Sequence, residues 1–173
     1  MPASDLANAV PSSPIQLALF EPDIPQNTGA ILRTAACFAC VCHIIEPAGF
    51  VLDDARMRRA GMDYLDLAAM IRHDSWSTFL ADQRTRPGRL IAASTRGAES
   101  LATFRFQPHD TLLMGRESAG LPDHAWAECE QSVFIPIAKG ARSLNVAQAT
   151  AILTSFALAQ LGGWPVPTAP EAP

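Results

Sequence analysis

The sequence predicts a single α/β domain built on a mostly parallel sheet with helices on both faces. Short runs that are apolar on both faces recur along the chain, the pattern of strands buried from both sides. Stretches with helical spacing lie between them, so strands and helices alternate. The chain has 173 residues, 49% of them hydrophobic and 17% charged. That is one domain's length with enough apolar material for a core, and it excludes a largely disordered chain.

The elements follow in order. Residues 15–20 read as a near-continuous apolar strand. A helix is predicted over 27–40, with Asn27 or Thr28 as its N-cap, because a short polar side chain satisfies the first free N–H groups. Residues 43–46 form the next strand, stopped by Pro47 and Gly49. Asp53 and Asp54 open a short Arg-rich helix that ends at Gly61; acids at its start suit the helix dipole. A weak strand over 67–71 and a helix over 75–83 come next, then strands at 89–94, 111–115 and 133–137. The last helix spans 145–161, with Asn145 and Gln148 spaced as in a capping box and Val146, Ala149, Leu153, Phe156 and Gln160 along one face.

Residues 15–162 are therefore expected to form the domain, between a flexible leader (1–14) and a Pro-rich tail (163–173). The leader carries no Lys or Arg and no apolar stretch, so it does not read as a signal peptide. No apolar run reaches the roughly 18 residues of a membrane span. A cytoplasmic protein with reduced thiols and no membrane partner is expected. Cys37, Cys40 and Cys42 invite a metal reading, but no second Cys pair follows, and Ala35, Ala36, Phe38, Ala39 and Val41 around them are apolar. Buried free thiols and no metal are the expectation.

The formal charge of −4 argues against a protein that coats nucleic acid indiscriminately. The positive charge consists of one Lys and twelve Arg, and a few placed Arg can bind phosphate bidentately whatever the total. A proteome-wide Arg bias would give the same count.

In open α/β sheets ligands sit beyond the carboxyl ends of strands, which directs attention to four loops. The first runs from Glu21 to Gly29 and on to Arg33, stiffened by Pro22 and Pro25. Asn27 and Arg33, less than two helical turns apart, either meet one ligand or are a cap and a surface Arg. The second is Ser94-Thr95-Arg96-Gly97, a ligand loop or an ordinary turn. The third, Gly115 to Pro122, brackets Glu117 between glycines; neither a P-loop nor a GxGxxG fingerprint occurs. The fourth, from Ile135 to Asn145, places Lys139, Arg142 and Ser143 just before the last helix, whose N-terminus favours anions.

Five segments together resemble the SPOUT superfamily of RNA 2′-O-methyltransferases. They are Glu-Pro-x-Ile-Pro-x-Asn-Thr-Gly-x-x-x-Arg (21–33), His-Ile-Ile-Glu-Pro-x-Gly-Phe (43–50), Arg-Arg-Ala-Gly-x-Asp-Tyr (58–64), Gly-x-Glu-x-x-Gly-Leu-Pro (115–122) and Ile-Pro…Arg-Ser-x-Asn (135–145). The resemblance covers residues 16–162 and is strongest to the small tRNA wobble-pyrimidine subgroup. It implies a C-terminal trefoil knot, S-adenosylmethionine as cofactor, and methylation of the ribose 2′-OH at position 34 of tRNA. Ala93, Ser94, Gly115, Glu117, Ile135, Ser143 and Leu144 would hold the cofactor. Arg33, Asn27, Ser143 and Asn145 would serve catalysis, with Arg33 foremost. Arg56, Arg58, Arg59 and Arg142 would contact RNA, the anticodon stem-loop of tRNA. A homodimer with its RNA site shared between subunits is also implied. Two alternatives remain at this point: 2′-O-methylation of another tRNA or rRNA site, and a non-catalytic RNA-binding protein of the same fold.

Overall fold

A computed structural model describes residues 13–51 and 69–166. The leader's residues 1–12, the Arg-rich helix at 53–61 and the tail from 167 lie outside the described residues. The described elements are β1 (Gln16–Phe20), α1 (Pro25–Cys37), β2 (Val41–Ile45), β3 (Ala69–His73), α2 (Trp76–Gln83), β4 (Leu90–Ala93), β5 (Glu99–Ser100), β6 (Thr111–Met114), α3 (Asp123–Trp126), β7 (Gln131–Phe134) and α4 (Val146–Leu161). They form a seven-stranded sheet in the order β3-β2-β1-β6-β4-β7-β5. Every pairing in it is parallel, as the doubly apolar strands predict.

The side-chain alternation of the central strands splits the core into two layers. Leu17, Leu19, Cys42, Ile44, Ile91, Ala93, Leu112 and Met114 face Ile31, Leu32 and Ala35 of α1 and Leu153 and Ala157 of α4. Ala18, Phe20, Ile45, Leu90, Ala92 and Leu113 face Phe79 of α2 and Ala125 of α3. The central strands β1, β4 and β6 thus carry apolar residues at almost every position, and the runs read from sequence have this cause.

Several boundaries differ from the sequence reading. Helix α1 starts two residues early, at Pro25, with Ile24 at the cap position and no side-chain cap. Pro suits the first helical turn because its missing N–H would be unpaired there anyway. Asn27 and Thr28 are therefore not caps, and Gly29 belongs to the helix, not to the loop. The 133–137 strand is shifted to Gln131–Phe134, which releases Ile135 and Ile137 into the following loop. The weak strand moves from 67–71 to Ala69–His73. Strand β5 and helix α3, two and four residues long, are too short to carry a periodicity. Phe156 of α4 is 46% exposed instead of buried, whereas Asn145 caps α4 as expected, accepting from Ala147 N–H at 2.8 Å.

Under α2 the sheet buries a polar chain that the sequence reading did not find. His43 shares a 2.9 Å contact with His73 through Nδ1 and a 2.8 Å contact with Gln16 Oε1 through Nε2. Arg86 also donates to Gln16 Oε1, and its Nη1 stands 3.2 Å from His43 Nε2, so the imidazole, the amide and the guanidinium meet at one point. Burial, with Arg86 and His73 adding to it, pushes His43 down to about 3. A histidine held neutral in the fold destabilises it wherever the unfolded chain takes up a proton that the folded chain refuses. Stability is therefore expected to be full above pH 6.5 and to fall between pH 6.5 and 3, by about 1.4 kcal/mol per unit of depression at most. Urea denaturation at stepped pH checks this: His43→Gln should flatten the slope, and a wild-type midpoint independent of pH in that window contradicts it.

Candidate active site

Strands β1, β6, β4 and β7 are consecutive neighbours in the sheet. Because all are parallel, their carboxyl ends share one edge, and the four singled-out loops converge there. They enclose a cavity of about 450 Å³, within the usual ~300–1,000 Å³ of cofactor sites. Ile24 and Asn27 line it from the first loop, Ser94 and Thr95 from the second, Gly115, Arg116 and Glu117 from the third, and Ile135, Ile137, Ser143, Leu144 and Asn145 from the fourth. Met114, Val133, Val146, Ala149 and Leu153 supply an apolar floor.

The third loop folds back on itself. Arg116 and Gly120 exchange backbone hydrogen bonds of 3.1 and 2.8 Å. A Cβ on Gly115 would stand 2.5 Å from the Gly120 carbonyl carbon and 2.6 Å from the Leu121 nitrogen, so only glycine fits. Two acids of the first loop clamp this hairpin. Asp23 accepts from Arg116 Nε at 3.1 Å, from Ser118 N–H at 3.0 Å and from the Ser118 hydroxyl. Glu21 accepts from Arg116 Nη1 at 3.1 Å. The Ser118 hydroxyl and N–H, with Arg116, hold Asp23 below the usual carboxylate range against its partial burial. Glu21 also sits at φ 42°, a left-handed conformation that costs a non-glycine residue strain and clusters at functional sites.

A second chain of contacts crosses the cavity mouth. Glu117 accepts from Asp23 N–H at 2.9 Å and from Asn27 Nδ2 at 3.2 Å. Asn27 Oδ1 accepts from Asn145 Nδ2 at 2.9 Å. Asn145 Oδ1 caps α4. Asn145 is thus both a cap and a member of the site; the two readings of it are not exclusive.

Asn27, Ala93, Ser94, Gly115, Glu117, Ile135, Ser143, Leu144 and Asn145 all line this one cavity. Arg33 does not; it lies exposed on α1 outside the lining. Arg142 is exposed beside Ser143, and Arg56, Arg58 and Arg59 lie outside the described residues. Sequence reasoning assigned no role to Glu21, Asp23, Arg116 or Ser118. Arg116 is 95 residues from Glu21, and no local spacing signals such a pairing.

The donor set fits S-adenosylmethionine. Among the described residues that line it, Glu117 is the one carboxylate, and Arg116, the one cation, is already neutralised by Glu21 and Asp23. The cavity can therefore accept a positively charged sulfonium over an apolar floor.

The model of the SpoU rRNA methylase family matches residues 14–155. The chain belongs to this family. A tRNA (cytidine(34)-2′-O)-methyltransferase of Ancylobacter novellus is 48% identical over 150 residues, covering 87% of this chain and 95% of that protein. A solved structure described as giving insights into the 2-OH methylation of C/U34 on tRNA superposes with a TM-score of 0.80 at 40% identity, covering 86% of this chain and 97% of the other. An AdoMet-bound rRNA methyltransferase from Sinorhizobium meliloti superposes with a TM-score of 0.78 at 28% identity, covering 90% of this chain and 60% of that one. As a SpoU methylase the chain is S-adenosylmethionine-dependent, and no described helix is long and apolar enough to cross a membrane.

Proposed function

We propose that this SpoU methylase transfers the methyl group of S-adenosylmethionine to the 2′-hydroxyl of the pyrimidine ribose at position 34 of tRNA, in the cytoplasm. The observation that carries the reading is the cavity that the four strand-end loops build together. It joins a backbone-lined recess to the Glu117–Asn27–Asn145 chain at its mouth. Relatives covered almost end to end and named for position 34 support the choice of substrate.

The cofactor supplies an activated methyl on a sulfonium. The chain's own residues must orient the ribose, since an in-line transfer depends on positioning. Ser143 offers a hydroxyl, and the amides of Asn27 and Asn145 are held by their mutual bond and by Glu117. Arg33 donates only, since a guanidinium has no acceptor. Its role is to hold the phosphate 3′ of the target ribose and polarise the hydroxyl, with phosphate or water taking the proton. Arg142 and the basic segment with Arg56, Arg58 and Arg59 are the further RNA contacts, to the anticodon stem-loop.

Arg33 lies outside the cavity of its own chain, which supports a homodimer in which each Arg33 completes the partner's site. Phe156, exposed on α4, offers apolar surface for such an interface. Mixing Arg33→Ala with Asn145→Ala protomers, each inactive alone, is then expected to restore about a quarter of wild-type transfer through random pairing. No restoration would place Arg33 in its own subunit's site. We also infer the C-terminal knot. Its support is membership of the SpoU methylase family.

Labelled transfer from S-adenosylmethionine to total tRNA, followed by nucleoside mapping, tests the substrate. Label on a 2′-O-methylpyrimidine at position 34 is expected; label elsewhere in tRNA, or in rRNA only, would overturn the assignment of site.

A further inference from the structure

We propose that Arg96, laid over the Trp126 ring, binds a phosphate of the RNA strand that carries the target ribose into the cavity. This rests on the tRNA reading above and adds a substrate contact on the second loop. The first observation is charge. Among the described residues Arg72, Arg84, Arg86, Arg89 and Arg116 each face a carboxylate within 3.2 Å. Among the same residues Arg105 has no carboxylate partner; it donates through Nη1 to the carbonyls of Thr103 and Phe104 at 3.0 and 3.3 Å and lies outside the four loops. Arg96, Lys139 and Arg142 have no carboxylate partner among the described residues, and all three stand on loops that build the cavity. In a chain of net charge −4, un-neutralised cations gathered at one mouth create the local field that a polyanion needs.

The second observation is orientation. The Arg96 guanidinium carbon lies 5.3 Å from the Trp126 ring centroid, and Nη2 stands 3.5 Å from the Leu121 carbonyl of the third loop. Its backbone is pinned by the Ser94 hydroxyl at 3.2 Å and by the Gly97 turn pressed against β7. A guanidinium held over an indole face still has N–H groups to offer a phosphate and loses less freedom on binding. Thr95, its chain neighbour, lines the cavity, so the phosphate would lie close to the nucleotide being methylated.

The test compares wild type, Arg96→Gln, Arg96→Lys and Trp126→Leu for tRNA affinity across a salt series, with cofactor affinity measured in parallel by calorimetry. Arg96→Gln is expected to weaken tRNA binding about 5- to 20-fold and to reduce the slope of log K against log salt by about 0.7, the loss of one phosphate contact to a single strand. Arg96→Lys should keep the slope with intermediate affinity. Trp126→Leu should also keep the slope while weakening binding, because the charge remains but its orientation is lost. Cofactor affinity should be unchanged throughout. An unchanged salt slope in Arg96→Gln overturns the proposal, whether affinity holds or falls, the latter pointing to base stacking. A loss of cofactor affinity overturns it too, making Arg96 a prop of the third loop. Absence of tRNA binding and methylation in the wild type is a separate result, and it removes the tRNA reading itself.

Discussion

Gly115→Ala is expected to lower S-adenosylmethionine affinity at least about 100-fold and to abolish methyl transfer with it, the overlap being with backbone that cannot rotate away. The added Cβ would meet the Gly120 carbonyl carbon at 2.5 Å, the Leu121 nitrogen at 2.6 Å and Gly120 Cα at 2.9 Å. Relief requires the hairpin to open, breaking the Arg116–Gly120 backbone bonds and moving Arg116 and Ser118 off Asp23. Gly120→Ala makes the control. Gly120 has φ +71° with nothing within 4 Å of its would-be Cβ, so its cost is conformational only, about 1–2 kcal/mol. Calorimetric titration of both variants should show a steep loss for position 115 and a modest one for position 120. Equal losses would mean that loop flexibility, not the close approach, determines cofactor binding.

In the role proposed for Arg33 at the reacting hydroxyl and its phosphate, Arg33→Ala is expected to reduce methyl transfer to tRNA by roughly 10³-fold or more while cofactor affinity stays within about twofold. The separation follows from placement. The residues proposed to hold the cofactor line the cavity of one chain, whereas Arg33 stands on the exposed face of α1, outside that lining. Single-turnover transfer with saturating tRNA isolates the step. Arg33→Lys keeps charge but loses the planar fork, and it should recover only a small part of the rate. A variant that transfers methyl at the wild-type rate would remove Arg33 from the mechanism.

The class of fold was legible because every central strand must fill two apolar layers. The runs at Leu17–Phe20, Leu90–Ala93 and Leu112–Met114 show that need residue by residue. Most of the candidate site was legible for a related reason: a loop that folds back on its own backbone needs Gly115, and a loop that opens a helix needs Asn145. Asn27 was legible as a polar residue at a helix start but was given the wrong structural role. Pro25 begins the helix and turns the Asn27 amide towards Glu117 and Asn145 instead of the free N–H groups.

The alternation of strands and helices, the four loops that would carry chemistry and the family those loops resemble can all be read along the chain. These are local properties, set by side-chain period and by residues with special backbone demands. Only the tertiary structure decided that β6 lies between β1 and β4, with β7 beyond β4. That order brings loops more than 90 residues apart into one cavity and lets Glu21 and Asp23 clamp Arg116. It also buries His43 against His73 and Arg86. Pairing order depends on which strands meet after the chain collapses, and contacts between such distant residues leave no periodic trace in a single sequence.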